Sequence, residues 1–228
     1  MLSTKDLALL GQKGISEKQI EEQLDCFRKG FPFLEIMASA SVEKGISVID
    51  KEAQVGYMEA WDAYLNQNKR ILKFVPASGA ASRMFKDLYE FLDSDSNEPF
   101  SPFMEKFFAG LTSFAFYNAL DAVCLKNEKR TIPQLLSDKE YKAVVNNLLS
   151  SGGLNYGQLP KGLLQFHTYP ACVRTAMEEH LAEGAMYAKN NAAEVNIHFT
   201  VSPEHKAMFE QLVAAKVPAY ENKFSVRY

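Results

Sequence analysis

The sequence predicts an α/β fold in which a mostly parallel sheet carries helices on both faces. A short apolar run at 70–75 is followed by a helical pattern, and an alternating segment at 195–201 precedes another. Between them, residues 174–189 have helical spacing. Strands that alternate with helices along the chain are typical of parallel sheets, whose ligands bind at the carboxyl ends of the strands.

Composition limits the classes of protein to which the chain can belong. The 228 residues suffice for one large domain or a domain with an insertion, and 47% of them are apolar, which provides a substantial core. A net charge of −3 argues against a general nucleic-acid binder. No apolar run reaches membrane-spanning length, and Cys26, Cys124 and Cys172 are too widely spaced for a metal or redox motif. We expect a cytoplasmic protein with free, buried thiols and neither nucleic-acid nor membrane partners.

The chain before the first buried strand is predicted to be mostly helical. Ser16 and Gln19 have the spacing of a capping box, which indicates a helix directly after Ser16. Residues 45–50 alternate like a short strand, and residues 51–66 return to helical spacing. These patterns define an N-terminal, mostly helical extension at 1–69.

The remainder, 70–228, is predicted to be one α/β domain that is incomplete at its C-terminus. A helical insertion at about 90–155 interrupts it, and the aromatic side chains of this insertion have the density of a core. Beyond the insertion, 163–166 is predicted to be a short strand. Residues 224–228 are predicted to begin another strand.

The loop after the first strand carries the pattern most informative for function. It consists of small residues, namely Ala77, Ser78, Gly79, Ala80, Ala81 and Ser82. Small side chains let a ligand approach backbone N–H groups, and a helix N-terminus favours an anion by about 0.3–1 kcal/mol. Arg83 adds a planar set of donors suited to phosphate. The pattern fits a phosphate-binding loop, and it also fits a close-packed turn in which Arg83 and Lys86 are surface charges.

A second segment, Pro160-Lys161 ahead of a short strand, gives the chain a resemblance to a known family. Together with the loop it resembles the sugar-nucleotide nucleotidyltransferases, whose pattern is a strand, Ala-Gly-Gly-x-Gly-Thr-Arg-Leu/Met, and later Pro-Lys. The matching residues are Ala77, Gly79, Arg83, Met84, Pro160 and Lys161. Ser82 stands where the family has Thr, and Ser78 and Ala81 replace glycines. The helical segment at 174–180 resembles the helix that follows Pro-Lys in that family.

The resemblance implies a Rossmann-like nucleotidyltransferase (GT-A-like) fold and a chemistry. The residues that would line the nucleotide are Ala77, Ser78, Gly79, Ala80 and Ser82. Arg83 and Lys161 would stabilise the transferring phosphates together with Mg²⁺, for which the pattern assigns no ligand in this chain. The implied reaction moves a nucleotidyl group from a nucleoside triphosphate to a sugar phosphate and releases pyrophosphate. As a whole the chain resembles the N-terminal part of a bacterial family of unknown function built on this pattern.

Two other functions fit the sequence. The replaced glycines, and the lack of a counterpart to the family's metal-binding Asp, favour a non-catalytic nucleotide or sugar-nucleotide binder. A helical interaction module at 100–120 is the second alternative, and it requires Phe107, Phe114 and Phe116 to be exposed.

The histidines give weaker signals. His167 follows the Pro-Lys strand, where it could face the site. His180 has neighbouring glutamates but no HExxH spacing, so a metal role is not predicted. His198 lies in the middle of a predicted strand and is expected to be a packing or surface residue.

Overall fold

The computed structural model describes residues 2–67, 69–99 and 101–228, which form a mixed and mostly helical α/β fold. The α-helices are α1 (Thr4–Gln12), α2 (Glu17–Lys29), α3 (Lys51–Leu65), α4 (Lys86–Asp93), α5 (Pro102–Ala109), α6 (Tyr117–Glu128), α7 (Ile132–Ser137), α8 (Tyr141–Leu149), α9 (Ala176–Tyr187) and α10 (Lys206–Phe224). The strands are β1 (Lys73–Pro76), β2 (Gln165–Tyr169), β3 (Cys172–Thr175) and β4 (Ile197–Thr200). Short 3₁₀ helices occupy Ser82–Phe85, Leu111–Ser113, Lys161–Leu163 and Pro203–His205.

The first of two compact units extends to Gly56 and includes α1 and α2. The predicted capping box of α2 is confirmed, because Ser16 Oγ accepts a hydrogen bond from the Gln19 N–H at 3.3 Å and the Gln19 side chain accepts one from the Ser16 N–H at 2.8 Å. The predicted strand at 45–50 does not form. Gly45 has a φ of 93° and turns the chain instead of extending it.

The second compact unit, Tyr57–Tyr228, contains two small sheets. β1 and β4 pair in parallel, which confirms strands within the apolar run at 70–75 and the alternating segment at 195–201. Their carboxyl ends lie at one edge, where the Ala77 N–H donates to the Thr200 carbonyl at 2.8 Å. β2 and β3 form an antiparallel hairpin. Over the described residues, the expected mostly parallel sheet is therefore one parallel pair beside a hairpin.

The predicted strand at 224–228 is wrong. α10 continues to Phe224, whose ring stacks on Tyr220 four residues earlier with centroids 6.1 Å apart. Beyond Phe224, Arg227 pairs with Glu194 as an isolated parallel bridge and not as part of a regular strand.

Helices α4–α8 surround an apolar core of their own. Its fully buried members include Leu88, Phe91, Met104, Leu111, Leu120, Leu135 and Leu148. Phe107 and Phe116 are also buried in this cluster, whereas Phe114 is 36% exposed. The predicted core role of the aromatic insertion is confirmed for these two rings.

A second core joins α9 and α10 to the parallel strands. Met177, Leu181 and Phe209 are among its buried members, and Met177 and Phe209 lie near the carboxyl ends of the strands, where Phe199 packs against the cluster. This core positions the ends of β1 and β4. Among the described residues the cysteines are free thiols, but the predicted burial holds only for Cys124, since Cys26 is half-buried and Cys172 is exposed. In the same described ranges, no helix is both long and apolar enough to cross a membrane.

Candidate functional site

The two segments predicted to bind phosphate lie side by side. The Lys161 N–H donates a hydrogen bond to the Gly79 carbonyl at 3.0 Å, and Ala80 and Pro160 form an antiparallel bridge. Both contacts lie just beyond the end of β1. The fold thus brings the small-residue loop and the Pro-Lys segment together at the carboxyl edge of the parallel pair.

A pocket of about 160 Å³ lies at this edge. Its lining consists of Val75, Pro76, Ala77, Gly79, Lys161, Gly162, Ala176, Met177, His180, Phe199 and Phe209. Two aromatic rings, Phe199 and Phe209, form one side with centroids 6.2 Å apart and planes tilted by 42°. Lys161 and His180 contribute the ionisable side chains. The pocket is therefore largely apolar, with polar groups at two points.

The predicted nucleotide-lining residues are divided between the pocket and the surface beside it. Ala77 and Gly79 line the pocket. Ser78 and Ala80 are exposed on the same loop and are not part of that lining. The side chain of Ser82 lies outside the described part of the structure.

Arg83 lies on the 3₁₀ helix Ser82–Phe85, outside the pocket lining, and its side chain is exposed. It forms no hydrogen bond or ion pair with the described residues. A helix begins directly after the loop, as predicted, but its first turn is a 3₁₀ turn. The Met84 N–H bonds to the Ala81 carbonyl at 2.9 Å in 3₁₀ fashion, so α4 begins only at Lys86. The α-helix N-terminus therefore does not face the small-residue loop directly.

Lys161 begins the 3₁₀ helix that leads into β2. Its backbone is held by Gly79, whereas its side chain is exposed and has no hydrogen-bond or ionic partner in the described ranges. The next residue, Gly162, packs closely against Phe209, and nothing in the sequence indicated this contact. A Cβ there would lie 2.7 Å from Phe209 Cζ, so a larger residue would force the buried ring to shift. Glycine at this position lets the Lys161 segment pack directly on the pocket wall.

The sequence also did not predict a polar cluster next to the pocket, formed by Lys73, His180, Glu183 and Tyr187. His180 Nδ1 lies 3.0 Å from Glu183 Oε2 on the same face of α9. Glu183 also forms an ion pair with Lys73 on β1 and accepts a hydrogen bond from the Tyr187 hydroxyl at 3.1 Å. The only sequence signal was the three-residue spacing of His180 and Glu183, since Lys73 is far away along the chain.

The charges of this cluster are mutually stabilised. The hydrogen bond from Lys73 lowers the pKa of Glu183 to about 2, against the effect of burial, and His180 and Tyr187 add to it. Burial acts to lower the pKa of Lys73, but its bonds to Glu183 and Tyr187 outweigh burial and leave that pKa raised. Glu183 is therefore an ionised acceptor at neutral pH. The proton in the His180–Glu183 bond belongs to Nδ1, which leaves Nε2 as the uncommitted ring nitrogen.

A family model described as a domain of unknown function (DUF4301) matches residues 3–228. The chain belongs to this family. No curated protein and no solved structure matches it. Membership in DUF4301 confirms the expectation of a family of unknown function, while the resemblance to nucleotidyltransferases stays a prediction.

The pocket of this DUF4301 chain does not fit a resident Mg²⁺. Such ions are held by one or two carboxylates together with substrate phosphates. The pocket lining contains no carboxylate, and no group of three or more His, Cys, Asp or Glu side chains in the described ranges could hold a metal. A metal in this site would have to enter with the phosphates of a ligand.

The stability contributed by Glu183 should depend on pH. Its folded pKa is about 2 against an ordinary 4.5, so its pairing stabilises the protein above about pH 4.5 and is lost as the pH falls towards 2. We expect Glu183→Gln to cost up to about 1 kcal/mol at neutral pH, discounted because the Glu183 side chain is 41% exposed. Urea unfolding of both proteins across this range measures the difference. A difference that does not shrink on acidification would contradict the assignment.

Proposed function

We propose that the pocket and the loop beside it bind a nucleoside triphosphate, and that the protein transfers its nucleotidyl group to a sugar phosphate. The fold would then be a Rossmann-like nucleotidyltransferase (GT-A-like) domain. The observation that carries the proposal is the hydrogen bond between Lys161 and Gly79. It joins the two segments of the resemblance at the carboxyl edge of a parallel strand pair, where α/β sheets bind their ligands.

The geometry of the loop supports phosphate binding. A Cβ built at Gly79 would have no atom within 4 Å, so space remains beside the backbone at this point. The exposed Lys161 side chain lines the same pocket as Gly79, and Arg83 directly follows the loop. Two exposed cations of this kind neutralise phosphate charge at little cost, because neither has an ion pair with a described residue that would have to break.

The proposed reaction needs positioning and charge neutralisation more than covalent help. A phosphate oxygen of the sugar phosphate attacks the α-phosphorus, and the bond from that phosphorus to the bridging oxygen breaks. Pyrophosphate leaves with the bonding electron pair. Lys161 and Arg83 would hold the phosphates, and Mg²⁺ would arrive bound to the triphosphate.

We expect Lys161→Ala and Arg83→Ala each to weaken nucleoside triphosphate binding about tenfold or more, because each removes a charge-assisted hydrogen bond. Calorimetric titration with ATP, GTP, CTP and UTP in the presence of Mg²⁺ measures the effect. Lys206→Ala is the matched control, since Lys206 is an exposed lysine on α10 that lies outside the pocket lining and pairs with Glu210. Unchanged affinity in both site variants would contradict the proposal.

A non-catalytic nucleotide or sugar-nucleotide binder is the second candidate function, favoured by the pocket lining without carboxylates and by Ser78 in place of a glycine. Ala81, the other replaced glycine, is 1% exposed and packs in the core, so its methyl group does not narrow the loop. A pyrophosphate-release assay with glucose 1-phosphate separates the two candidates. Binding without release would favour the second. The burial of Phe107 and Phe116 counts against a helical interaction module.

A further inference from the structure

The pocket is lined by His180, whose ring is oriented by its hydrogen bond to Glu183. We propose that His180 contacts the ligand directly, with Nε2 accepting a hydrogen bond from an N–H or O–H group on the edge of a ring bound in the pocket. This inference rests on the proposed function and deepens it, because it names the part of the ligand that the pocket recognises.

The hydrogen bonds around His180 determine which nitrogen is free. Nδ1 is 3.0 Å from Glu183 Oε2, and Glu183 is itself held by Lys73 and Tyr187. A carboxylate only accepts hydrogen bonds, so Nδ1 carries the proton in the neutral ring and Nε2 is an acceptor. The His180 side chain is 34% exposed and lines the pocket, so a bound group can reach it.

The size of the pocket limits what it can hold. An engineered apolar cavity of about 150 Å³ takes one benzene ring, so about 160 Å³ accommodates a single ring and not a whole nucleotide. The triphosphate would extend outside, over Gly79 and Lys161. A ligand that joins one ring to phosphates therefore matches the two parts of the site.

The walls limit the chemistry of that ring. Phe199, Phe209 and Met177 offer apolar surface and no hydrogen-bonding side chain, so a polar group of the ring that faces them would go unpaired and would cost binding energy. A ring that directs a donor at His180 and an apolar face at the two phenylalanines fits the pocket. A nucleobase N–H and a sugar O–H are the two sources of this chemistry.

Glu183 and Lys73 are positioning residues in this arrangement. The Lys73 side chain is only 11% exposed, its Nζ lies 4.5 Å from the centre of the Tyr187 ring, and its hydrogen bond lowers the pKa of Glu183 to about 2, which keeps Glu183 ionised. Glu183 in turn fixes the orientation and the tautomer of His180. Neither residue lines the pocket, so we expect their effect on a ligand to act through His180.

The test compares ligands with and without a ring on the intact chain. Inorganic tripolyphosphate, ATP, GTP, CTP, UTP and glucose 1-phosphate are titrated calorimetrically with Mg²⁺. We expect at least one nucleoside triphosphate to bind more tightly than tripolyphosphate, or glucose 1-phosphate to bind more tightly than inorganic phosphate. Preference among the nucleotides assigns the donor to the base, and preference for glucose 1-phosphate assigns it to the sugar.

Two substitutions at His180 distinguish the contribution of Nδ1 from that of Nε2. The amide of Asn lies where Nδ1 was and that of Gln lies nearer Nε2. We expect His180→Asn to remove about three- to tenfold of the ring-dependent affinity, His180→Gln to recover part of it, and tripolyphosphate binding to stay unchanged in both. Glu183→Ala should reduce the ring-dependent affinity, whereas Glu183→Gln, whose oxygen still accepts from Nδ1, should retain most of it.

The outcomes distinguish this inference from the function on which it depends. If tripolyphosphate and every ring-bearing ligand bind equally well, phosphate binding stands and the role of His180 is wrong. Equal losses for all ligands in His180→Asn would reduce His180 to a structural residue and also overturn the inference. If neither tripolyphosphate nor any nucleotide binds, the proposed function fails and the inference fails with it.

Discussion

Replacing Gly153 with alanine should destabilise the protein by about 3 kcal/mol or more. A Cβ at this position would lie 1.9 Å from the Asn147 carbonyl oxygen and 2.8 Å from its Cα. These are backbone atoms at the end of α8, and the same carbonyl accepts the Leu154 N–H at 2.8 Å. The clash cannot be relieved by rotating a side chain, because the turn itself would have to open.

Gly152→Ala is the matched control, since the nearest atom to a Cβ there is Ser150 Oγ at 4.0 Å. We expect it to change the free energy of unfolding by no more than about 0.5 kcal/mol. Urea or guanidinium unfolding followed by circular dichroism measures both variants. Equal losses at the two neighbouring glycines would show that close packing at Gly153 is not the cause.

The position of Gly153 connects this prediction to the site. The chain passes from α8 through this turn to Gly157, where a Cβ would lie 1.9 Å from the Tyr89 hydroxyl oxygen, and then to Lys161. Two glycines thus hold the segment against the helical insertion before it reaches the pocket. The turn at Gly153 therefore also helps to determine where Lys161 lies.

The parts of the site that the sequence predicted are those with a local chemical signature. Small residues after an apolar run predict a loop that a ligand can approach, and Pro-Lys before a strand has a recognisable spacing. The structure brings these two segments together at Gly79 and Lys161. β1 and β4 were predictable for a similar reason, because short apolar or alternating runs have few other structures available.

The parts that were missed depend on contacts between distant residues. Lys73 and Glu183 lie on different elements, and nothing in the spacing of either indicates the other. The need for glycine at 162 arises from the ring of Phe209, a contact that only the folded chain creates. The 3₁₀ turn after the loop is likewise a matter of backbone geometry, because small residues permit both kinds of helix start.

Replacing Phe209 with alanine should destabilise the protein by about 3–5 kcal/mol, the usual cost of removing a buried phenylalanine ring. The residue is 4% exposed, packs against Phe199 and lies against the Gly162 segment. Phe103, which is 41% exposed on α5, is the control, and we expect its alanine variant to lose less than about 1 kcal/mol. Denaturant unfolding of the two variants makes the comparison.

The same substitution separates the stability of the fold from the function of the pocket. Phe91 is fully buried in the core around α4–α8, so Phe91→Ala should lose a similar amount of stability while leaving the pocket walls in place. If the pocket holds a ring, Phe209→Ala should weaken nucleoside triphosphate binding more than Phe91→Ala does under conditions where both remain folded. Phe209→Leu, a milder change, should give an intermediate loss. Equal affinities in the two alanine variants would mean that Phe209 serves the core alone and that the ring binds elsewhere.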